Sequence, residues 1–228
     1  MDRKKRIALY GGTFDPIHVG HLEVAREVSR LFEIDELWFV IAQVAPHKAG
    51  LEVTSALHRY AMLALATEND PGLLISTFEL DAPGRSYTVD TLAHFKAVLN
   101  ESADLFFVMG ADSWCEITTW RDCDRLLGMT NHIVVTRPGY SLGADHITSE
   151  SRARIVDLRL GGQAESMRIN QGSAGERIFL TDAVMNDVSA TDIRRAVHEN
   201  SGELTRMVPS AVADYIRKYK LYRDTNER

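Results

Sequence analysis

Apolar residues along this chain fall into short clusters, separated by stretches in which apolar positions recur every three or four residues. The clusters Ile7 to Tyr10, Glu36 to Ile41, Leu73 to Phe78, Leu105 to Met109, His132 to Thr136 and Arg177 to Leu180 are short and read as buried strands. Leu22, Ala25, Val28 and Leu31 mark a helix after the first strand, and Leu57, Ala61, Ala64 and Leu65 mark another over about Ser55 to Thr67, with Thr54 as its cap. Val89 to Leu99 reads as a third helix with Thr88 ahead of it. Ser189 and Asp192 form an S-x-x-D helix start before Ile193 and Val197, and a final helix is expected from near Pro209 with Val212, Tyr215 and Ile216 on its buried face. The polar, glycine-bearing stretch 141–176 offers only a short helix around Ser151 to Leu160.

Strands that alternate with single helices run parallel, because each crossover returns the chain in the same direction. The expected fold class is therefore α/β: an open, mainly parallel, doubly wound Rossmann-like sheet with a small C-terminal helical portion. A chain of 228 residues with 45% hydrophobic content suits one core, and no shift in composition marks a linker. One domain over 1–228 is expected, its α/β core reaching about 185 and its helical portion covering 186–228. Ligands of such sheets lie beyond the carboxyl ends of the strands, where strand order reverses. Gly11 to His21, Pro46 to Lys48, Ser86 to Thr88, Gly110 to Ser113, and Arg137 with Pro138 all follow strand ends and can converge there.

Charge narrows the choice of ligand. The formal net charge of −6 argues against a nucleic-acid polymer as partner, yet leaves room for a local basic pocket that takes a small phosphorylated molecule. Cys115 and Cys123 follow no metal-ligand spacing, so a reducing compartment without structural zinc is expected. The basic run Arg3 to Arg6 precedes only four apolar residues, too few for a signal peptide or a membrane span, and a cytoplasmic protein without membrane association is expected.

The most informative stretch is Y-G-G-T-F-D-P-I-H-V-G-H-L, from Tyr10 to Leu22. Gly11 and Gly12 read as a sharp turn that lets the backbone approach a ligand. His18 and His21 are expected on one side of the following helix start, where unpaired N–H groups and the helix dipole favour an anion. The glycines match neither the dinucleotide fingerprint nor the P-loop. Either histidine alone would read as a cap or a surface residue; the pair, behind a strand and two glycines, reads as a site for nucleotide phosphate.

This stretch resembles the signature of the nucleotidyltransferase superfamily, with its H-x-G-H motif. The further stretches P-H-K at Pro46 to Lys48, S-Y-T at Ser86 to Thr88, G-A-D-S at Gly110 to Ser113, T-W at Thr119 and Trp120, R-P-G-Y at Arg137 to Tyr140 and S-A-T-D-I-R at Ser189 to Arg194 follow in order, so that most of the chain resembles bacterial nicotinate-nucleotide adenylyltransferases. The resemblance implies transfer of AMP from ATP to nicotinate mononucleotide, giving deamido-NAD and pyrophosphate. The acceptor phosphate is already a nucleophile, so the protein has only to align two polyanions and neutralise developing charge.

Residue by residue, the resemblance assigns His18, His21, Lys48 and Arg194 to catalysis. Gly11, Gly12, Thr13, Phe14, Gly20, Gly110, Asp112, Ser189 and Thr191 join His18, His21 and Arg194 around ATP. His47, Lys48, Thr88, Trp120 and Arg137 fall to the nicotinate nucleotide, with the Trp120 indole stacking on the pyridinium and backbone N–H groups near Thr88 and Trp120 meeting its carboxylate. Magnesium is expected with ATP, held by phosphates and water rather than by a dedicated protein site. ATP and nicotinate mononucleotide are the expected partners, and a homo-oligomer is left open. Taken singly, Lys48 reads as a surface lysine, Asp112 as a helix cap and Arg194 as part of a solvated face. Ile41 and Ala45 stand where the family commonly has prolines, and Arg121 where it often has an aromatic residue. The alternatives are a sister transferase for nicotinamide mononucleotide or phosphopantetheine, and a nucleotide sensor without turnover.

Overall fold

The computed structural model describes residues 3–43, 53–82, 84, 86–136, 142–159, 175–182, 184 and 188–223. Its strands are β1 (Lys5–Gly12), β2 (Glu36–Ile41), β3 (Leu73–Ser76), β4 (Ala103–Gly110), β5 (Asn131–Val135), β6 (Ile155–Asp157) and β7 (Ile178–Thr181). They form one sheet in the order β3-β2-β1-β4-β5-β7-β6, and each neighbouring pair is parallel. The helices are α1 (Val19–Leu31), α2 (Ala56–Thr67), α3 (Phe78–Asp81), α4 (Thr88–Leu99), α5 (Ala111–Cys115), α6 (Cys123–Leu127), α7 (Ser149–Arg152), α8 (Ala190–His198), α9 (Leu204–Met207) and α10 (Ser210–Tyr219).

Alternate residues of a strand face opposite sides of a sheet, and both sides here are covered, which is why the strands are apolar throughout. Ala8, Tyr10, Phe106 and Val108 face a core built with Leu22, Ala25 and Val28 of α1, Met62 and Leu63 of α2, Ile193 of α8, and Val212 and Ile216 of α10. Ile7, Leu9, Phe107 and Met109 face the other core, with Val89, Leu92 and Phe95 of α4, Trp114, Ile117 and Leu126. The C-terminal helices thus complete the same core as α1 and α2. Among the described residues no helix is long and apolar enough to cross a membrane.

Local chemistry corrects several element boundaries. The third strand stops at Ser76, because the Ser76 hydroxyl accepts the Phe78 N–H at 3.2 Å and Phe78 opens α3. The cap of α2 is Ser55, whose side chain accepts the His58 N–H, and Thr54 has other partners. Helix α4 starts one residue early, at Thr88, with Tyr87 in the cap position. The helix expected over Ser151 to Leu160 ends at Arg152 instead, and Ile155 and Val156, β-branched residues suited to a pleated surface, enter β6 at the sheet edge. Ser189 does cap α8, accepting the Asp192 N–H at 3.1 Å. On α10 Tyr215 is half-buried, and Ala213 joins Val212 and Ile216 on the buried face.

The chain runs outward from β1 through β2 to β3 on one side and from β4 to β5 on the other. Strand order therefore reverses between β1 and β4, and Gly11, Gly12 and Gly110 lie at the carboxyl ends of those two strands. That is the place where such sheets bind ligands.

Candidate active site

A cleft of about 870 Å³ opens at this switch point. Its floor begins with Gly11 and Gly12, which are the last two residues of β1 and not the turn expected of them. The chain turns later, at Phe14, whose φ of 50° is left-handed. Gly12 is needed for space: a Cβ there would stand 2.8 Å from the Phe14 ring. That ring meets Tyr10, Phe39 and His21 edge-on at centroid distances of 5.7, 5.3 and 5.1 Å, forming a buried wall behind the histidine.

His18 occupies the cap position of α1 in an extended conformation, with φ −145° and ψ 171°, and its side chain makes no capping bond. Its ring stacks on that of His21, with centroids 3.6 Å apart. The two histidines therefore share a side of the helix start, as their spacing suggests. His18 and Gly20 line a small recess of about 50 Å³, and His21 lines both that recess and the main cleft. His21 thus stands at the seam between the two.

Gly11, Gly12, Thr13, Phe14, His21, Thr88, Gly110, Asp112 and Trp120 line the same cleft, although they come from four separate stretches of sequence. Gly110 precedes α5 and Asp112 sits in its first turn. Trp120 is half-buried and edge-on to Phe107, whereas Trp114 is fully buried in the core with its indole N–H donating to the Gly143 carbonyl at 3.0 Å. Of the backbone N–H groups near Thr88 and Trp120 expected to meet a ligand carboxylate, that of Trp120 itself donates to the Ile117 carbonyl at 3.0 Å in a tight turn.

Ser189, Thr191 and Arg194 are not among the cleft-lining residues. Arg194 Nη1 donates to the Asp15 carbonyl at 2.7 Å and Nη2 to the Thr191 hydroxyl at 3.1 Å, so α8 is tied to the loop that carries His18. Val188, just before α8, lines the recess beside the two histidines. His47, Lys48 and Arg137, and also Ala45, lie outside the described residues. Ile41 ends β2 and is buried.

Three supporting residues escaped the reading of the sequence. Arg59 is 1% exposed and donates Nε to the Thr54 carbonyl at 2.9 Å, Nη1 to Thr13 at 2.7 Å and Ala42 at 2.8 Å, and Nη2 to Gln43 at 2.9 Å. It binds the end of β1, the segment after β2 and the head of α2 into one unit. Burial pulls its pKa down while the Asp15 carboxylate pushes it up. Asp15 is itself buried, accepting the Thr54 N–H at 3.0 Å and the Tyr222 hydroxyl at 2.7 Å. Burial, and then the Asp15 charge, raise the Tyr222 pKa far above its ordinary value. A signal for Arg59 did exist, since it stands with Met62, Leu63 and Ala66 on the buried stripe of α2, where an arginine is out of place.

The cleft carries carboxylates at Glu79, Asp112 and Glu116. Glu79 accepts the Thr91 hydroxyl at 2.7 Å, and burial raises its pKa. Among the described residues that line the cleft, Arg121 is the one lysine or arginine. Also among the described residues, no three His, Cys, Asp or Glu side chains are grouped so as to hold a metal ion.

A parallel sheet with a glycine-floored cleft at its switch point and paired histidines at a helix start defines a nucleotidyltransferase, and residues 9–196 match the cytidylyltransferase-like family. Over 227 residues the chain is 36% identical to a probable nicotinate-nucleotide adenylyltransferase of Thermoanaerobacter sp. strain X514, covering 100% of this chain and 99% of that one. A second such relative, from Moorella thermoacetica, is 38% identical over 98% of this chain and 94% of its own. The chain therefore belongs to the nicotinate-nucleotide adenylyltransferase family within the cytidylyltransferase-like class. The fold is also that of the Plasmodium falciparum nicotinic acid mononucleotide adenylyltransferase complexed with NaAD, with a TM-score of 0.71 at 22% identity over 96% of this chain and 97% of that one.

Proposed function

We infer that this protein transfers AMP from ATP to nicotinate mononucleotide, giving deamido-NAD and pyrophosphate for NAD synthesis. The observation that carries the inference is that His21 and the Gly11–Phe14 segment line one cleft with Thr88 and Trp120 at the β1/β4 switch point. The full-length relatives support it.

In this reading the acceptor phosphate oxygen attacks the ATP α-phosphorus, a P–O bond forms, and the bond to the β-phosphate oxygen breaks to release pyrophosphate. Triphosphate lies along the β1 end and the start of α1, whose first N–H groups and the His18–His21 pair face the phosphates. His21 stabilises charge at the transferred phosphoryl group, with His18 stacked behind it. Gly110 and Asp112 frame the adenosine. Trp120 stacks on the pyridinium, and the first turn of α4 at Thr88 meets the acceptor. His47, Lys48 and Arg137 are assigned by the resemblance to the acceptor side, with Lys48 also serving in catalysis. Ser189, Thr191 and Arg194 close the triphosphate end, Arg194 from its place on the Asp15 carbonyl. Magnesium would come with ATP rather than on a dedicated protein site, and would supply charge neutralisation at the phosphates. The whole chain acts as one domain, with the helical portion after about 185 packed on the α/β core.

The test is to supply ATP and magnesium with nicotinate mononucleotide, nicotinamide mononucleotide or phosphopantetheine, and to follow pyrophosphate release. Turnover fastest with the nicotinate form is expected. Preference for another acceptor would make the protein a sister transferase, and no release with any would make it a nucleotide sensor.

A further inference from the structure

We propose that Arg121 sets the choice of acceptor by pairing its guanidinium with the pyridine carboxylate of nicotinate mononucleotide; this rests on the function inferred above. Arg121 lines the cleft next to Trp120, and its guanidinium carbon stands 4.8 Å from the centroid of the Tyr87 ring. Tyr87 is the cap residue of α4 and Asp90 lies in its first turn, so the cation stands near the start of that helix.

The backbone donor at Trp120 is engaged by Ile117 and so does not meet a ligand carboxylate. Arg121, the next residue in the chain, offers a side-chain donor beside it. Among the described residues Arg121 has a carboxylate partner in Asp90, 3.8 Å away with both side chains more than half exposed, a loose contact that a ligand carboxylate can replace. A planar guanidinium presents two parallel donors to a carboxylate, a geometry a carboxamide matches only in part and without charge.

The charge balance of the cleft points the same way. Asp112 and Glu116 add negative charge to the cleft that an anionic acceptor enters, and Arg121 is the one lysine or arginine among the described lining residues to oppose them. Nicotinate and nicotinamide mononucleotides differ by a single negative charge on the ring substituent. A cation at this end therefore acts on one and leaves the other almost untouched.

The experiment compares wild type with Arg121→Gln and Arg121→Lys in steady-state kinetics at saturating ATP, with both mononucleotides. Arg121→Gln should raise KM for the nicotinate form roughly tenfold more than for the nicotinamide form, the scale of one partly exposed charge-assisted hydrogen bond. Arg121→Lys should recover part of that difference, while KM for ATP moves less than about twofold in either variant. Equal changes for both acceptors, or none, would show that Arg121 only packs on Tyr87, and would overturn the proposal. A wild-type protein that releases no pyrophosphate with nicotinate mononucleotide would instead sink the functional reading, and this inference with it.

Discussion

Replacing Arg59 by alanine tests whether the segments flanking the cleft depend on one buried cation. The side chain is 1% exposed and gives four hydrogen bonds to the carbonyls of Thr13, Ala42, Gln43 and Thr54. Bonds from a charged donor contribute about 1.5–3 kcal/mol each, but they act as a unit, and water entering the vacated space restores part of the loss. The cost of breaking a buried charged network, about 3–5 kcal/mol, is the better guide. For a chain of 228 residues each kcal/mol lowers Tm by about 2–4 °C, so Arg59→Ala should lower it by roughly 6–20 °C. Arg59→Lys keeps the charge yet has no planar fork to span three segments, and should lose about half as much. Thermal unfolding followed by circular dichroism, with and without ATP, measures both the loss and the stabilisation that ATP confers. That ligand-dependent shift should shrink in Arg59→Ala, because Thr13 and Gln43 lose their anchor. A variant that melts within about 2 °C of wild type and keeps its full ATP shift would refute the reasoning.

Three further outcomes are expected. His21→Ala should lower kcat by roughly 100-fold or more, the scale for loss of a preorganised charge stabiliser, with a much smaller effect on ATP binding by calorimetry; an unchanged rate would leave His21 as packing only. Gly12→Ala drives a methyl group to 2.8 Å from the Phe14 ring, so the wall behind His21 must move, and KM for ATP should rise by roughly tenfold; unaltered kinetics would show that Phe14 yields freely. Burial lowers the His132 pKa from 6.5 to about 4, so below pH 6.5 the unfolded chain takes up the proton before the native state does, and stability is lost as pH falls from 6.5 toward 4. At 1.36 kcal/mol per unit the loss reaches about 3 kcal/mol. Urea unfolding across that range should show the slope in wild type, and His132→Gln should flatten it; a slope that survives belongs to other groups.

Strands, helices and the first stretch of the site were legible in the amino-acid order because each has a local cause. Ile7 to Tyr10 and Leu105 to Met109 are continuous apolar runs, and a strand buried on both faces needs nothing else to be recognised. Ser189 and Asp192 announce α8 by a side-chain bond that spans three residues. His18 and His21 share a side because one helical turn separates them, which places their rings 3.6 Å apart. Tertiary structure decided what depends on distant partners. Whether the tripeptide starting at Ile155 coils or pairs depended on β7 lying beside it. The Trp120 N–H was consumed by a turn, the glycines of β1 proved to make room for Phe14, and Arg194 was drawn to the Asp15 carbonyl 179 positions away. Arg59, Asp15 and Tyr222 meet only because the sheet brings separate loop ends together, and a buried charge takes its meaning from the partners that surround it. Local periodicity wrote the elements into the chain; desolvation and hydrogen-bond satisfaction, which exist only once the chain is packed, chose how their ends join.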